Sequence, residues 1–445
     1  MIEKERLFQI ATEVKDKLHP KVDAIAVKLN SISSNQVRFT KNNISIAKNW
    51  DDTTLSVLVD KDERVTALDV GISGQEKIDE ILSQLMAYME KAPKKQDYAP
   101  FPDPADTYPA VDNFDATLKK KPEKLVEYAK VVIEEGKHAD IDYVAGAIKS
   151  EVTNEVLVTS TGAELHEKES NVYLDVRASA GEMEKGHSSM ASAFIGDIDP
   201  KQTAIKAVEY AERSKNPKSI DSGKYTTLFI PDAAAGLLTW LGMMSSAFFV
   251  QMGYSFLQEP GQKVGSEHVS IIDDPHHPRG FRSRRFDDEG QPTQQIPIIE
   301  HGEVRGYLHN RFTAKSFQQE PTGNAGWITP HAWQLKFEAG SQSEGDMIAS
   351  IDEGLVVGNV TYLRFQNPMK GTFSAVVRDG VYFVEDGEIQ HAVKNLRLAD
   401  SFPDLLSNVR SIERDQRQIM HWWLHVPVIT GSFLADDVKY TRPVK

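Results

Sequence analysis

The stretch that decides the fold is residues 225–255, YTTLFIPDAAAGLLTWLGMMSSAFFVQMGYS. It opens as a strand, Tyr225 to Ile230, rich in Thr, Leu, Phe and Ile. Pro231 and Asp232 then signal a helix start, because proline presets φ for the first turn and aspartate accepts backbone N–H groups there. No charged residue occurs from Ala233 to Val250, so a helix over 232–250 must be buried nearly all round. Its length approaches that of a bilayer span. Gly236, Thr239, Gly242, Ser245 and Ser246 interrupt it, and no basic cluster flanks it. These features favour a core helix in close contact with its neighbours, and no membrane span.

Working outward, the polar run Ser214 to Lys224 marks a boundary between an N-terminal α+β domain, 1–220, and a β-rich C-terminal domain, 221–445. Upstream, helical spacing of apolar residues predicts helices over Glu3–Leu18, Glu76–Lys91 and Pro122–Glu135, and one opened by Asp199-Pro200. Short β runs fill Val22–Val70 as an antiparallel meander, with Lys41-Asn42-Asn43 as a hairpin turn. Ile141–Ser150 and Asn154–Thr159 read as strands joined by a turn at Glu151–Thr153. In the strand Glu164–Ala178, Val172, Leu174, Val176 and Ala178 face one way, and Tyr173, Asp175 and Arg177 the other. Ala92 to Asp115, rich in Pro, Asp and Tyr, reads as an irregular crossing segment. Downstream, successive β runs with tight turns at 300–303 and 385–388 predict a large curled antiparallel sheet around or beside the central helix, and Phe402–Glu413 reads as a short helix.

Composition narrows the function. The 445 residues carry a formal charge of −14, which disfavours a general grip on nucleic acid. There is no cysteine, so disulfides, thiolate metal sites and cysteine nucleophiles are excluded. The charged, amphipathic opening MIEKERLFQIATEVKDKL is unlike a secretion signal and points to a cytoplasmic protein. Neither a phosphate-binding glycine loop nor a GxSxG elbow is present.

Five segments in order resemble the TldD/PmbA (TldD/TldE) family, zinc-metalloprotease subunits historically labelled modulators of DNA gyrase. They are VRFTKNNIS (37–45), TSTGAELHEKESNVYLDVRA (159–178), SGKYTTLFIPDAAAGLL (222–238), FDDEGQPTQQIPIIEHGEVRGYLHNRFTAKSF (286–317) with PTGNAGW (321–327), and NPMKGTFSAVVRDGVYFVEDGEIQHAVKNLRLADSFPDLLSNV (367–409). The resemblance implies two kinds of subunit. The TldD kind carries His-Glu-x-x-x-His on the central helix and a C-terminal cysteine, which hold zinc while the glutamate activates water. In this chain the corresponding positions are Thr239, Trp240 and Met244, none of which is suited to that role. The chain therefore resembles the PmbA/TldE kind. That implies no cofactor in this chain, zinc on a TldD-like partner, a heterodimer with that partner or a homodimer, and a flexible polypeptide substrate. The alternatives are a stand-alone peptidase with a different site, and a scaffolding or binding protein without proteolysis.

Other candidates weigh less. His421 and His425, spaced i and i+4, could bind zinc on a helix, but their aromatic neighbours favour packing. His166-Glu167 lacks a downstream partner and reads as an exposed strand pair. His276 and His277 lie in a turn-rich loop, and Arg279 to Arg285 reads as charged surface. Asp287-Asp288-Glu289-Gly290, a recurrent signature of the resembled family, lacks calcium-loop spacing and reads as a tight turn.

Overall fold

The computed structural model describes residues 1–72 and 78–442. Its first sheet is a six-stranded antiparallel meander-like array, in the order β3-β2-β1-β4-β5-β6. The strands are β1 (Ala24–Thr40), β2 (Asn43–Lys61), β3 (Arg64–Gly71), β4 (Tyr143–Thr159), β5 (Glu164–Ser179) and β6 (Lys185–Ser192). Lys41 and Asn42, both at positive φ, make the β1–β2 turn expected from the sequence. The strands are longer than their apolar runs suggest. Glu151–Thr153 is not a turn but the interior of β4, paired with Ser34 to Ile32 of β1. Polar residues are tolerated there because the sheet's second face meets the rest of the protein rather than a uniform apolar core.

The first face is covered by helices. α1 (Lys4–Leu18) and α2 (Ile78–Lys91) bury Leu7, Ile10, Val14, Leu82 and Leu85 against Ile25, Val27, Leu55 and Val57. The two residues expected to begin α2, Glu76 and Lys77, lie outside the described residues. After the short α3 (Ala116–Lys120), α4 (Lys124–Lys137) and α5 (Pro200–Arg213) pack on β4 and β5, where Val172, Leu174, Val176 and Ala178 are all buried. Asp199 caps α5 by accepting from the N–H groups of Lys201 and Gln202. The expected alternation on β5 is thus realised. Tyr173, Asp175 and Arg177 are left pointing away from the helices, toward the second half.

The second half supplies β7 (Gly223–Phe229), β8 (Ile271–Asp273), β9 (Ile296–Glu300), β10 (Glu303–Val304), β11 (Leu335–Phe337), β12 (Glu353–Asn367), β13 (Thr372–Glu385), β14 (Glu388–Ala392), β15 (Arg397–Ser401), β16 (Val409–Ile412), β17 (Arg417–Ile419), β18 (Val428–Thr430) and β19 (Phe433–Thr441). In place of one curled sheet there are two assemblies. β12, β7, β19, β15 and β13 close a five-stranded barrel, because β12 pairs with β7 on one edge and β13 on the other. The remaining sheet runs β10-β9-β8-β11-β18-β17. Neither is purely antiparallel, since β12–β7 and β11–β18 are parallel pairs. The expected helix over Phe402–Glu413 stops at Ser407, and β16 takes the rest.

The central helix packs against both assemblies. Helix α6 (Pro231–Met244) buries all but Trp240 and Met243, but it does not run on to Val250. Ser246 adopts an extended conformation and bridges Leu308, and a second helix, α7 (Ala247–Gln251), follows. The serines supply the reason. Leu308 donates to the Ser245 carbonyl and accepts from Ala247 N–H, while the Ser246 hydroxyl donates to Pro330 O at 2.6 Å. Ser and the exchanged backbone bonds offer an alternative to the helical ladder. Among the described residues, no helix is long and apolar enough to cross a membrane.

Gly236 lets α6 approach β12 closely: a Cβ there would stand 2.5 Å from the Val360 carbonyl oxygen. Gly236→Ala is expected to cost about 1–3 kcal/mol through overpacking, despite alanine's better helix propensity. A lower urea midpoint at unchanged m-value checks this.

Candidate functional site

The three positions that the resemblance sets against a zinc-protease motif are taken up by hydrogen bonds and packing. The Thr239 hydroxyl donates to Val426 O (3.0 Å) and accepts from the N–H groups of His425 (3.0 Å) and Val426 (2.9 Å). Its hydrogen-bonding capacity is spent on pinning the β17–β18 connection to α6. Trp240 packs its ring against Phe365 (5.6 Å) and His425 (4.8 Å). Met244 is buried in the core. These side chains do not fit a hydrolytic zinc, which needs imidazole, carboxylate or thiolate donors and an open position for water. Beside them opens a cleft of about 590 Å³, lined by Trp240, Tyr362, Phe365, Trp422, Trp423 and His425, among others.

His421 and His425 do not share a helix face, because residues 420–427 form turns and irregular backbone. His425 turns to the aromatic cleft. His421 is buried and stands edge-on to His187, 5.1 Å between ring centroids. Here the polar face of β5 and β6 meets the second half. His187 on β6 bonds Asp175 of β5 through Nε2 (2.7 Å), while its Nδ1 lies 3.5 Å from Asp232 on the first turn of α6 and 3.0 Å from Asn359 Nδ2 of β12. Asp232 also accepts from the Ser189 hydroxyl at 2.5 Å. Asp379 of β13 takes Arg177 (2.9 Å) and Arg378 (3.2 Å).

The electrostatics follow from this burial. Burial opposes the Asp175 charge, yet His187 beside it holds the carboxyl down at about 2. For His187 burial again opposes the charged form, and Asp175 with Asp232 outweighs it and raises the pKa. Burial raises Asp232 against the pull of His187 and Ser189. The His421 imidazole is kept neutral, pushed down to about 3 by burial and by His187. Sequence reasoning named His421 but missed its partners. Asp175 was visible only as a polar residue on an alternating strand, and His187 carried no local signal.

The other candidates prove architectural. His166 bonds Asn154 (2.6 Å), while Glu167, far from exposed, is buried and accepts from Asn113 and Arg285 N–H. His276 bonds Thr293 and His277 faces Asp274. The arginine run is not free surface: Arg279 makes a bidentate pair with Asp197, and Arg284 pairs with Glu155 of β4 at 2.7 Å. Gly290, at positive φ, closes the expected tight turn, and its acidic neighbours join the two halves. Asp288 pairs with Lys28 (2.6 Å), and Arg311 bridges Glu289 (3.3 Å) and Asp60 (2.9 Å).

These buried groups can be tested by substitution. Thr239→Val leaves the His425 and Val426 N–H groups unpaired, an expected loss of about 1–3 kcal/mol readable in chemical denaturation. Burial raises Glu289 to about 8, against the opposing pull of Arg311. An unfolded glutamate ionises near about 4.3, so the stability linked to Glu289 is complete below that pH and is lost as pH rises through about 8. Between pH 6.5 and 8.5 the native chain should therefore lose more stability than Glu289→Gln; equal losses in paired denaturation curves would refute this.

Comparison with known proteins agrees with this architecture. Residues 112–215 match the PmbA/TldA metallopeptidase central domain, and residues 222–442 match the PmbA/TldA metallopeptidase C-terminal domain. The chain is 29% identical over 228 residues to the metalloprotease PmbA homolog of Haemophilus influenzae, covering 50% of this chain and 47% of that protein. It is 25% identical over 239 residues to metalloprotease PmbA of Escherichia coli O157:H7, covering 53% of this chain and 51% of that protein. The chain thus spans about half the length of these curated relatives. The crystal structure of TldE from Thermococcus kodakarensis shares the fold, with a TM-score of 0.85 at 22% identity over 98% of this chain and 99% of that one. With both domain models matched in order across the sheet, barrel and central helix, the chain belongs to the PmbA/TldD metallopeptidase family.

Proposed function

We propose that this chain is a non-catalytic, PmbA/TldE-like subunit of a TldD/TldE-type zinc metalloprotease acting on unfolded or flexible polypeptides. Its partner is a zinc-bearing TldD-like subunit or, where none exists, a second copy of the chain. The observation that carries this reading is the closure of the motif positions. Thr239 is fully hydrogen-bonded to the backbone of His425 and Val426, and Trp240 fills the space beside it. A side chain so engaged is not available to hold a metal or activate water. In place of a hydrolytic centre stands an aromatic cleft with Trp422 66% exposed at its rim. Such a wall suits apolar side chains of an extended polypeptide, or the matching surface of a partner. With a TldD-like partner, the chain then shapes the substrate chamber and the partner supplies the chemistry.

The test mixes the purified chain with a TldD-like subunit and follows hydrolysis of an unfolded fluorogenic casein in the presence of zinc. The expected result is no hydrolysis by the chain alone, a stable complex on size exclusion, and hydrolysis that requires the partner's motif glutamate. Hydrolysis by the chain alone would overturn the reading in favour of a stand-alone peptidase. Complex formation that leaves hydrolysis unchanged would overturn it in favour of a scaffold.

A further inference from the structure

The polar junction of β5, β6, α6 and the β17–β18 connection holds more than the hydrogen bonds it makes. Among the described residues, His187, Asp232 and His421 each place a metal-ligating atom so that all three lie within 4.8 Å of one another. All three residues are buried, with His421 only 3% exposed. His421 Nε2 has no hydrogen-bond partner, and neither do Asn359 Oδ1 and Asp379 Oδ1 nearby. Orphaned buried polar atoms are costly unless something satisfies them; His187 Nδ1 itself has Asn359 Nδ2 at 3.0 Å, a contact that metal binding would replace.

We propose that this junction binds a divalent cation of the zinc class through His187 Nδ1, an Asp232 carboxylate oxygen and His421 Nε2, with Asn359 or a water completing the shell. The geometry suits it. Ligands about 2.0–2.2 Å from a tetrahedral ion lie roughly 3.3–3.5 Å apart, and His187 Nδ1 and Asp232 Oδ1 are already separated by 3.5 Å. His187 gives its other nitrogen to Asp175 at 2.7 Å, the carboxylate–histidine arrangement that orients imidazole ligands toward a metal. His421 Nδ1 makes only a long contact with Trp423 N–H, 3.4 Å. Ligation at Nε2 moves the ring proton to Nδ1 and gives up little.

The charges of the inner carboxylates can also be met. Asp379 is engaged by Arg177 and Arg378, both about a third exposed to solvent, and Asp175 and Asp232 remain as two buried carboxylates around two imidazoles. A divalent ion with both imidazoles neutral offsets those two carboxylates. The ligands come from β6, α6 and the β17–β18 connection, so the ion would clamp the first sheet to the second half. This role goes beyond the proposed subunit function and does not depend on it.

The test uses the full-length chain, stripped with a chelator and then titrated with zinc. About one zinc per chain by elemental analysis and a thermal midpoint that rises with zinc and saturates are expected. His421→Gln and Asp232→Asn should abolish this binding, and Asp175→Asn should weaken it by about 10–100-fold. His276→Gln and His425→Ala should leave it intact. Absence of bound zinc, or zinc retained at full affinity by His421→Gln, would overturn the proposal. Should the variants fail to fold, anomalous diffraction at the zinc edge from crystals of the native chain decides. A peak between His187 and His421 upholds the site, and its absence there, with water in its place, refutes it. Because these readouts measure metal rather than proteolysis, they separate this proposal from the subunit assignment.

Discussion

The second half of the molecule depends on the two-sided pairing of β12. Gly354–Val357 run parallel to Thr226–Phe229 of β7, and the opposite edge pairs antiparallel with β13 along most of its length. That double pairing turns five strands into a closed ring, which leaves no edge to cap. It also fixes the start of α6, because Ile230 N–H donates to Val357 O just before the helix begins. Asp232 and Asn359 are therefore held in register by the same backbone ladder, and the close approach of Gly236 to Val360 continues it.

Where the two halves meet, charge replaces apolar packing over much of the surface. Lys28–Asp288, Arg284–Glu155 and Arg311–Asp60 all span the junction. Removing one partner of such a buried pair costs more than the pair itself contributes, because the remaining charge has no water to return to. The arrangement fixes orientation more than it adds stability, since each pair is satisfied in only one docking. That accounts for the polar residues in the middle of β4 and on the second face of β5.

Much of this could be read in the chain. The strand–Pro–Asp–apolar run at 225–244 gave a buried helix, and alternation from Val172 to Ala178 gave a strand with two different faces. The helix break at Ser245–Ser246 could not be read, because it depends on Leu308 and Pro330 arriving from a distant segment. The barrel was likewise hidden: a parallel β7–β12 pair leaves no local signature, unlike the Lys41–Asn43 hairpin. For the site, Thr239, Trp240 and Met244 stood out only through the family resemblance, and what their side chains do instead, hydrogen bonding to the β17–β18 connection and packing, appears only in the fold. The company of His421 could not be read either, since spacing suggested His425, and His187 and Asp232 become its neighbours only when sheet, helix and loop are assembled.

The ring of strands also sets the order in which the protein can be made. β7 ends at Phe229 and its antiparallel neighbour β19 begins at Phe433. A ribosome adding roughly 5–20 residues per second therefore takes on the order of ten to forty seconds to deliver the strand that seals the barrel. Throughout that interval α6, which has no charged residue after Asp232, has emerged without its full cover. The N-terminal sheet and its helices are complete by then. Nascent chains of this protein thus pass through a long stage in which one half is finished and the most apolar helix of the other has yet to be enclosed, the stage at which a holding chaperone has most to protect.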